Sequence, residues 1–363
     1  MFRRVLPSLV AVLTVSGLAA CSGESSDDGP TSAAGTRATQ EISWEKVQAP
    51  EDCQCSDGSE FHYWLHRGDA DRVVLFLEGG GACFSAETCA PGEEAIYTTD
   101  LEGRLPDRPA YGRNAADEGL LDLDNPENPL AGASVVYVPY CTGDLHLGTA
   151  THDYGDVVVE HKGRLNATAA LETLAAEFPG AEEVVVLGQS AGSAAAPLYG
   201  GLAHDLLPEA QVTVLADASG AYPADEVITS AIGGLWGIFD QLPAWPEAAG
   251  DPLSAWSLPG LFIQTSEHVP GIRLASINTA DDEVQRDFSD RIGQQNTPLS
   301  ELIGRNNELI EAAGVDLAWW LGPGDKHVST SDDELYDTEV DGIRLVDWIA
   351  GVLAGKDVAD VRG

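Results

Sequence analysis

Ser190 stands at the centre of Gly188-Gln189-Ser190-Ala191-Gly192, a G-x-S-x-G pattern. A serine in that pattern becomes a nucleophile when a sharp strand-to-helix turn lifts its Oγ clear of the backbone, and so tight a turn needs small neighbours. Here they are Gly188, Ala191, Gly192 and Ser193. The pentapeptide alone can arise by chance in a chain with 39 glycines, so its context must carry the inference. Glu183 to Leu187 reads as a short buried strand, and Ala194 to Leu207 reads as a helix despite Pro197. The expected strand, turn and helix are all present.

A neutral hydroxyl is a feeble nucleophile and needs a base, and the base needs an acid to hold its tautomer and stabilise the imidazolium. Where the serine comes first, the chain order is serine, acid, histidine. Of eight histidines, only His204, His268 and His327 lie downstream. His204 sits far along the elbow helix, and His268 precedes every acid of the next strand's loop. His327 lies in GPGDKHVST just after the run VDLAWWL, where a strand end delivers a loop to the elbow. His327 is therefore the expected base. Asp281 and Asp282 follow the run GIRLASINT, and Asp217 ends VTVLAD, where it would serve in a variant arrangement. Asp282 leads among these acids. Upstream, LEGGGAC sets Gly79, Gly80 and Gly81 directly after RVVLFL. Their amides, with that of Ala191, would hold the oxyanion of a tetrahedral intermediate.

These groups need a frame. Apolar runs at Arg72–Leu77, Ser134–Val138, Val184–Leu187, Gln211–Ala216, Ile272–Ile277 and Val315–Leu321 read as central strands. Helices are expected at Arg164–Phe178, Glu283–Ile292, Leu299–Ala313 and Ile343–Leu353. Strand and helix alternate, which predicts a mostly parallel sheet covered on both faces. FHYWLH alternates differently and is expected as an antiparallel edge strand. The segment Asp225–Pro270, rich in proline and tryptophan, breaks the alternation; it either caps the site or simply fills core.

Arg3 and Arg4 followed by an apolar stretch to Ala20 form a secretory leader rather than a membrane span, so residues 1–20 are read as a signal peptide. Leu18-Ala19-Ala20-Cys21 resembles a bacterial lipobox, which implies cleavage before Cys21 and a lipid on its sulfur. Residues 21–41 are rich in serine, glycine, aspartate and threonine with scarcely an apolar side chain, and are expected to be a flexible tether. Residues 42–363 are read as one domain. The chain is thus expected to be exported and anchored to the outer face of a membrane.

The formal charge is −40, and only Lys46, Lys162, Lys326 and Lys356 supply lysine. Such a surface excludes nucleic acid as a partner, because nothing neutralises phosphates, and it opposes polyanionic substrates. Adaptation to a salty environment explains it without a partner. Five further cysteines remain: Cys53, Cys55, Cys83, Cys89 and Cys141. Export favours disulfides. Cys83 and Cys89 are expected to pair within one loop, and Cys141 to take Cys55 or Cys53. Zinc is a poor reading, since CQC lacks the usual two-residue spacer. Asp144, His146, His152 and Asp153 also read better as loop hydrogen-bonding groups than as a metal cluster.

Taken together, LEGGGAC with Cys89 close behind, YCTGD at Tyr140–Asp144, GQSAG, NTADDEVQ at Asn278–Gln285 and GDKH resemble the pectin acetylesterase family, which also includes the animal carboxylesterase Notum. The resemblance runs from about Cys53 to Trp348. It implies an α/β-hydrolase-like fold with a mostly parallel sheet and helices on both faces, a Ser-His-Asp triad, and carboxylic ester hydrolysis without a cofactor. It selects Asp282 over Asp281, pairs Cys55 with Cys141 and Cys83 with Cys89, and leaves Cys53 without a counterpart. Family members carry an aromatic where this chain has Gly81 and Ala82, and TGDLHLG after Tyr140-Cys141 departs too, so the acyl pocket is expected to differ.

The resulting expectation is a monomeric serine esterase: Ser190 attacks, His327 moves the proton, Asp282 orients His327, and Gly80, Gly81 and Ala191 form the oxyanion hole. Acetyl esters on a glycan lead as substrate, with longer acyl esters as the alternative. A surface lipoprotein that binds a ligand without turnover is the rival from another class.

Overall fold

Val73, Leu75 and Leu77 enter one apolar cluster while Val74 and Phe76 enter another, so a single run of residues supplies both faces of a buried strand. The computed structural model describes residues 42–363 except 91–96, 102–108, 111–112 and 115–117. The leader, the tether and Cys21 lie outside the described residues.

Nine strands form the central sheet: β1 Glu45–Gln48, β2 His62–His66, β3 Asp69–Leu77, β4 Ala133–Val138, β5 Glu183–Gln189, β6 Gln211–Asp217, β7 Arg273–Thr279, β8 Leu317–Gly322 and β9 Val361–Arg362. Their spatial order is β1-β2-β4-β3-β5-β6-β7-β8-β9. From β4 onward every pairing is parallel, while β2 is antiparallel to both β1 and β4. The fold is an α/β-hydrolase-like fold. The segment FHYWLH is antiparallel as expected but is not the edge, because β1 covers it. The expectation missed β1 because its sequence EKVQ is short and mostly exposed, with no apolar periodicity to mark it.

Among the described residues the longer helices are α1 Gly163–Glu177, α2 Ala191–Leu206, α3 Glu226–Trp236, α4 Leu258–His268, α5 Glu283–Arg291, α6 Leu299–Ala312 and α7 Leu345–Leu353. In α1 the buried residues Ala167, Ala170, Leu171 and Leu174 keep helical spacing and form one stripe against the sheet. Helix α2 is buried nearly all round, which fits its place between the sheet and α4. Residues of α1, α2, α4 and α6 share one cluster with the sheet. On the other face, Leu345, Trp348, Ile349 and Val352 of α7 join Leu120 and Leu130.

Helix α7 starts two residues later than the pattern predicts. Ile343–Arg344 instead pairs antiparallel with Glu339–Val340. Asp341 and Gly342 between them both take positive φ, 52° and 82°. An Asp-Gly pair in that conformation closes a tight hairpin, so the turn chemistry outcompetes the first helical turn.

Candidate active site

The elbow between β5 and α2 holds Ser190 at φ 50°, ψ −115°. A non-glycine residue there stores about 1–3 kcal/mol, and the surroundings must enforce it. They do so by close approach. A Cβ on Gly188 would lie 2.4 Å from the Gly192 carbonyl oxygen, and one on Gly192 would lie 2.0 Å from that of Leu77. Only glycine fits either position, which explains the motif's spacing physically. The Ser193 hydroxyl donates to the Ser190 carbonyl at 2.8 Å and closes the first turn of α2.

Ser190, Asp282 and His327 hang from the carboxyl ends of β5, β7 and β8, which places all three on one edge of the sheet. His327 Nε2 lies 2.8 Å from Ser190 Oγ, and His327 Nδ1 lies 2.7 Å from Asp282 Oδ2. A carboxylate can only accept, so Nδ1 carries the proton and Nε2 is free to take one from the serine. Asp282 is wholly buried and caps α5, its Oδ1 accepting the amides of Val284 and Gln285 at 2.9 Å each. Gln285 Nε2 also donates to Oδ2 at 3.0 Å. This support escaped the sequence reading, although Asp282 followed three residues later by Gln285 is a capping-box pattern.

The loops carrying Asp282 and His327 are fastened together. Ala280 and Asp281 donate their amides to the carbonyls of Gly322 and Gly324, and Thr279 Oγ1 donates to that of Lys326 at 2.6 Å. Beneath the His327 loop, Asp217 Oδ2 accepts the Thr330 amide at 2.7 Å, and Gln189 Nε2 donates to Thr330 Oγ1 at 3.1 Å. Asp217 thus braces the loop, while Asp282 faces the imidazole. Burial pushes the Asp217 carboxyl up to about 6, and its Oδ1 has no hydrogen-bond partner.

The other sequence candidates separate from this centre. Asp281 is exposed beside Asp282. His204 sits in the last turn of α2, and His268 bonds Asp205 and Glu247 while stacking on Trp245. Asp144 is a hydrogen-bond hub, accepting from Thr142 Oγ1 and from the amides of His146 and Gly163. His146 bonds the Glu78 carbonyl, and His152 and Asp153 lie on a separate hairpin. Among the described residues, Cys83, Cys89 and His161 bring three metal-type ligand atoms within 4.8 Å. The two sulfurs there are joined as a disulfide, which leaves no thiolate to bind a metal.

A second bridge joins Cys55 to Cys141. Cys53 is a buried free thiol, pushed up to about 12 chiefly by desolvation. Disulfides of this kind fit a chain that folds in an oxidising compartment.

A cleft of about 940 Å3, counting its open mouth, adjoins Ser190. Gly81, Ala82 and Ala191 border it beside the serine, and Phe84, Leu145, Ile232, Trp236, Trp256 and Phe288 are among its walls. Gly81 has φ 80°, a conformation that suits glycine. Gly80 lies one step back from the cleft, against the Tyr140 ring. Helix α3 forms one side of the cleft, so the segment after Asp225 does cap the site, while Trp245 fills core. Trp236 Nε1 donates to the Cys83 carbonyl at 2.8 Å and ties α3 to the glycine loop.

The pectinacetylesterase family matches residues 36–231, more than half of the chain. The chain is 30% identical over 178 residues to palmitoleoyl-protein carboxylesterase NOTUM of Mus musculus, covering 45% of this chain and 33% of that protein. It is 30% identical over 140 residues to the Homo sapiens protein of the same name, covering 38% and 27%. A Danio rerio relative named inactive palmitoleoyl-protein carboxylesterase notum1b is 32% identical over 116 residues, covering 31% of this chain and 76% of that protein. The aligned stretches thus span at most a third of the mouse and human proteins.

Proposed function

Because the chain belongs to the pectinacetylesterase family, we propose that it is a serine carboxylic-ester hydrolase working through an acyl-enzyme at Ser190. The observation that carries this reading is the unbroken hydrogen-bond relay from Ser190 Oγ through His327 to Asp282, at 2.8 and 2.7 Å. Membership alone would not suffice, since one relative bears the name of an inactive enzyme.

In the proposed reaction Ser190 Oγ attacks the ester carbonyl while Nε2 of His327 takes its proton. Asp282 holds Nδ1–H and balances the imidazolium. The amides of Gly80, Gly81 and Ala191 receive the oxyanion, those at the start of α2 having no partner within the helix. His327 then protonates the departing alcohol, and water attacking the acyl-enzyme through the same base restores Ser190. No cofactor enters the scheme.

Acetyl esters of a glycan and esters of longer acids both fit the family. The apolar walls of the cleft favour the longer acids, because an acetyl group would leave most of that surface unfilled. Ser190→Ala is expected to abolish hydrolysis of p-nitrophenyl esters and labelling by a fluorophosphonate probe. Retained turnover removes Ser190 from the mechanism, and a wild-type chain inert to the probe favours the ligand-binding lipoprotein.

We also propose that the chain is exported and held at the membrane's outer face through lipid on Cys21. The leader and the two disulfides support this reading. Metabolic labelling with a palmitate analogue, lost in Cys21→Ala, is the expected result; equal labelling of both forms removes the anchor.

A further inference from the structure

Tyr140 is fully buried where β4 gives way to the loop beside the site, and its hydroxyl meets main chain on both sides. It donates to the Gly81 carbonyl at 2.9 Å and accepts the Leu145 amide at 2.8 Å. Its ring lies against Gly80 so closely that a Cβ there would sit 2.5 Å from Tyr140 Cδ1. One side chain thus contacts Gly80 with its ring and the Gly81 carbonyl with its hydroxyl. Between those two points runs the planar Gly80–Gly81 peptide unit, whose N–H is the Gly81 amide.

Glycine pairs have no side chains with which to fix themselves, and Gly81 already sits at φ 80°. An amide that must face a developing charge needs an outside restraint, because a donor that reorients during the reaction loses most of its value. The remainder of the surroundings is built to keep Tyr140 still. Its amide donates to Glu78 Oε2 at 2.9 Å, and the Tyr137 hydroxyl donates to Glu78 Oε1. His146 Nε2 donates to the Glu78 carbonyl at 2.8 Å. Cys141, the next residue, is bridged to Cys55, and Cys83, two residues beyond Gly81, is bridged to Cys89. Leu145 and His146, which close the other side, hold φ of 59° and 57°, a pair of left-handed non-glycine residues that their contacts must enforce.

We propose that Tyr140 is the positioning residue of the oxyanion loop: its ring abuts Gly80 before the Gly80–Gly81 peptide and its hydroxyl holds the Gly81 carbonyl after it, and so it aims the Gly81 amide at the oxygen that becomes negative when Ser190 attacks. The inference rests on the esterase reading and adds to it a residue that touches no substrate. The ring fills space as any core aromatic would; the hydroxyl is the part that acts on the reaction. Burial raises the phenol well above its ordinary value, which keeps it protonated as a donor.

Tyr140→Phe keeps the ring and deletes the oxygen. With p-nitrophenyl acetate, kcat is expected to fall about 10- to 100-fold with KM within about threefold, the signature of a contact realised in the transition state. A trifluoromethyl ketone, which forms a tetrahedral adduct with serine, is expected to weaken by a similar factor. Gly80→Ala presses on the ring from the other side and is expected to show the same split, and its failure to do so overturns the role should Tyr140→Phe not fold. A variant with kcat within about twofold of wild type, or a loss confined to KM, overturns the positioning role while leaving the esterase intact. Wild-type protein that neither hydrolyses the ester nor takes the fluorophosphonate label overturns both readings.

Discussion

The Ser190 amide donates to the main-chain carbonyl of Asp217 at 2.7 Å, so the strained elbow is tied to the end of the neighbouring strand. The same aspartate holds the His327 loop through Thr330. It therefore links the elbow to the His327 loop without bonding to the Ser190 hydroxyl or to the imidazole.

That position has a pH signature. Burial raises the Asp217 carboxyl from 3.8 to about 6, so the folded chain holds this proton more tightly than the unfolded one. Below the unfolded value the group contributes no penalty. As pH rises from there through about 6 the folded state loses stability relative to the unfolded, up to a few kcal/mol, and above it the loss is complete. Asp217→Asn cannot ionise. The stability of the variant minus that of the wild type is expected to rise by about 1–3 kcal/mol between about pH 4 and pH 8 in denaturant titrations. An unchanged difference would mean the buried carboxyl carries no penalty.

Asp282→Asn separates chemistry from folding. Asparagine caps helices about as well as aspartate, so stability is expected to stay within about 1 kcal/mol. The amide can no longer fix the tautomer of His327, and kcat is expected to drop about 10^4-fold. Matched kinetics and thermal melts check both halves; a mild kinetic loss would point to another acid.

The cleft makes a prediction about substrate length. Ile232 faces it from α3, and Ile232→Phe fills part of the space without altering the triad. Octanoate and palmitate esters are expected to lose about 10- to 100-fold in kcat/KM while acetate stays within about threefold. Equal losses across the series would show that the acyl chain does not lie along α3.

The two bridges should differ in what they stabilise. Cys55–Cys141 closes a separation of 86 residues and Cys83–Cys89 one of 6. Loop-closure entropy assigns them about 5 and about 2 kcal/mol respectively. Paired serine substitutions at 55 and 141 are therefore expected to lower the unfolding midpoint more than those at 83 and 89. The shorter bridge borders the glycine loop, so its removal is expected to reduce kcat more than its stability effect suggests. Denaturant curves and turnover measured on both variants test the contrast.

Much of this molecule can be read from its letters, and the reasons for success and failure are physical. The central strands are apolar runs rich in β-branched residues, and the chain order of Ser190, Asp282 and His327 follows from hanging each on a later strand end of one sheet, with β6 between the first two. Helix α3 escaped because EVITSAIGGLW is β-branched and glycine-rich, so its local preference argues against the helix that tertiary packing imposes. Its residues Ile228, Ile232 and Trp236 repeat at helical spacing but face the cleft. The Tyr140 hydroxyl escaped for another reason: its partners Gly81 and Leu145 meet it only once two loops have closed, and no spacing in the chain encodes that meeting.

Ser190, Asp282 and His327 follow strands β5, β7 and β8, while α3 and the turns after it enter as an excursion between β6 and β7. The hardware of the proposed reaction and much of the cleft wall are thus written in separate stretches of the chain. On the proposed function, a lineage can redraft the excursion, and so its menu of esters, while Ser190 and His327 stay untouched.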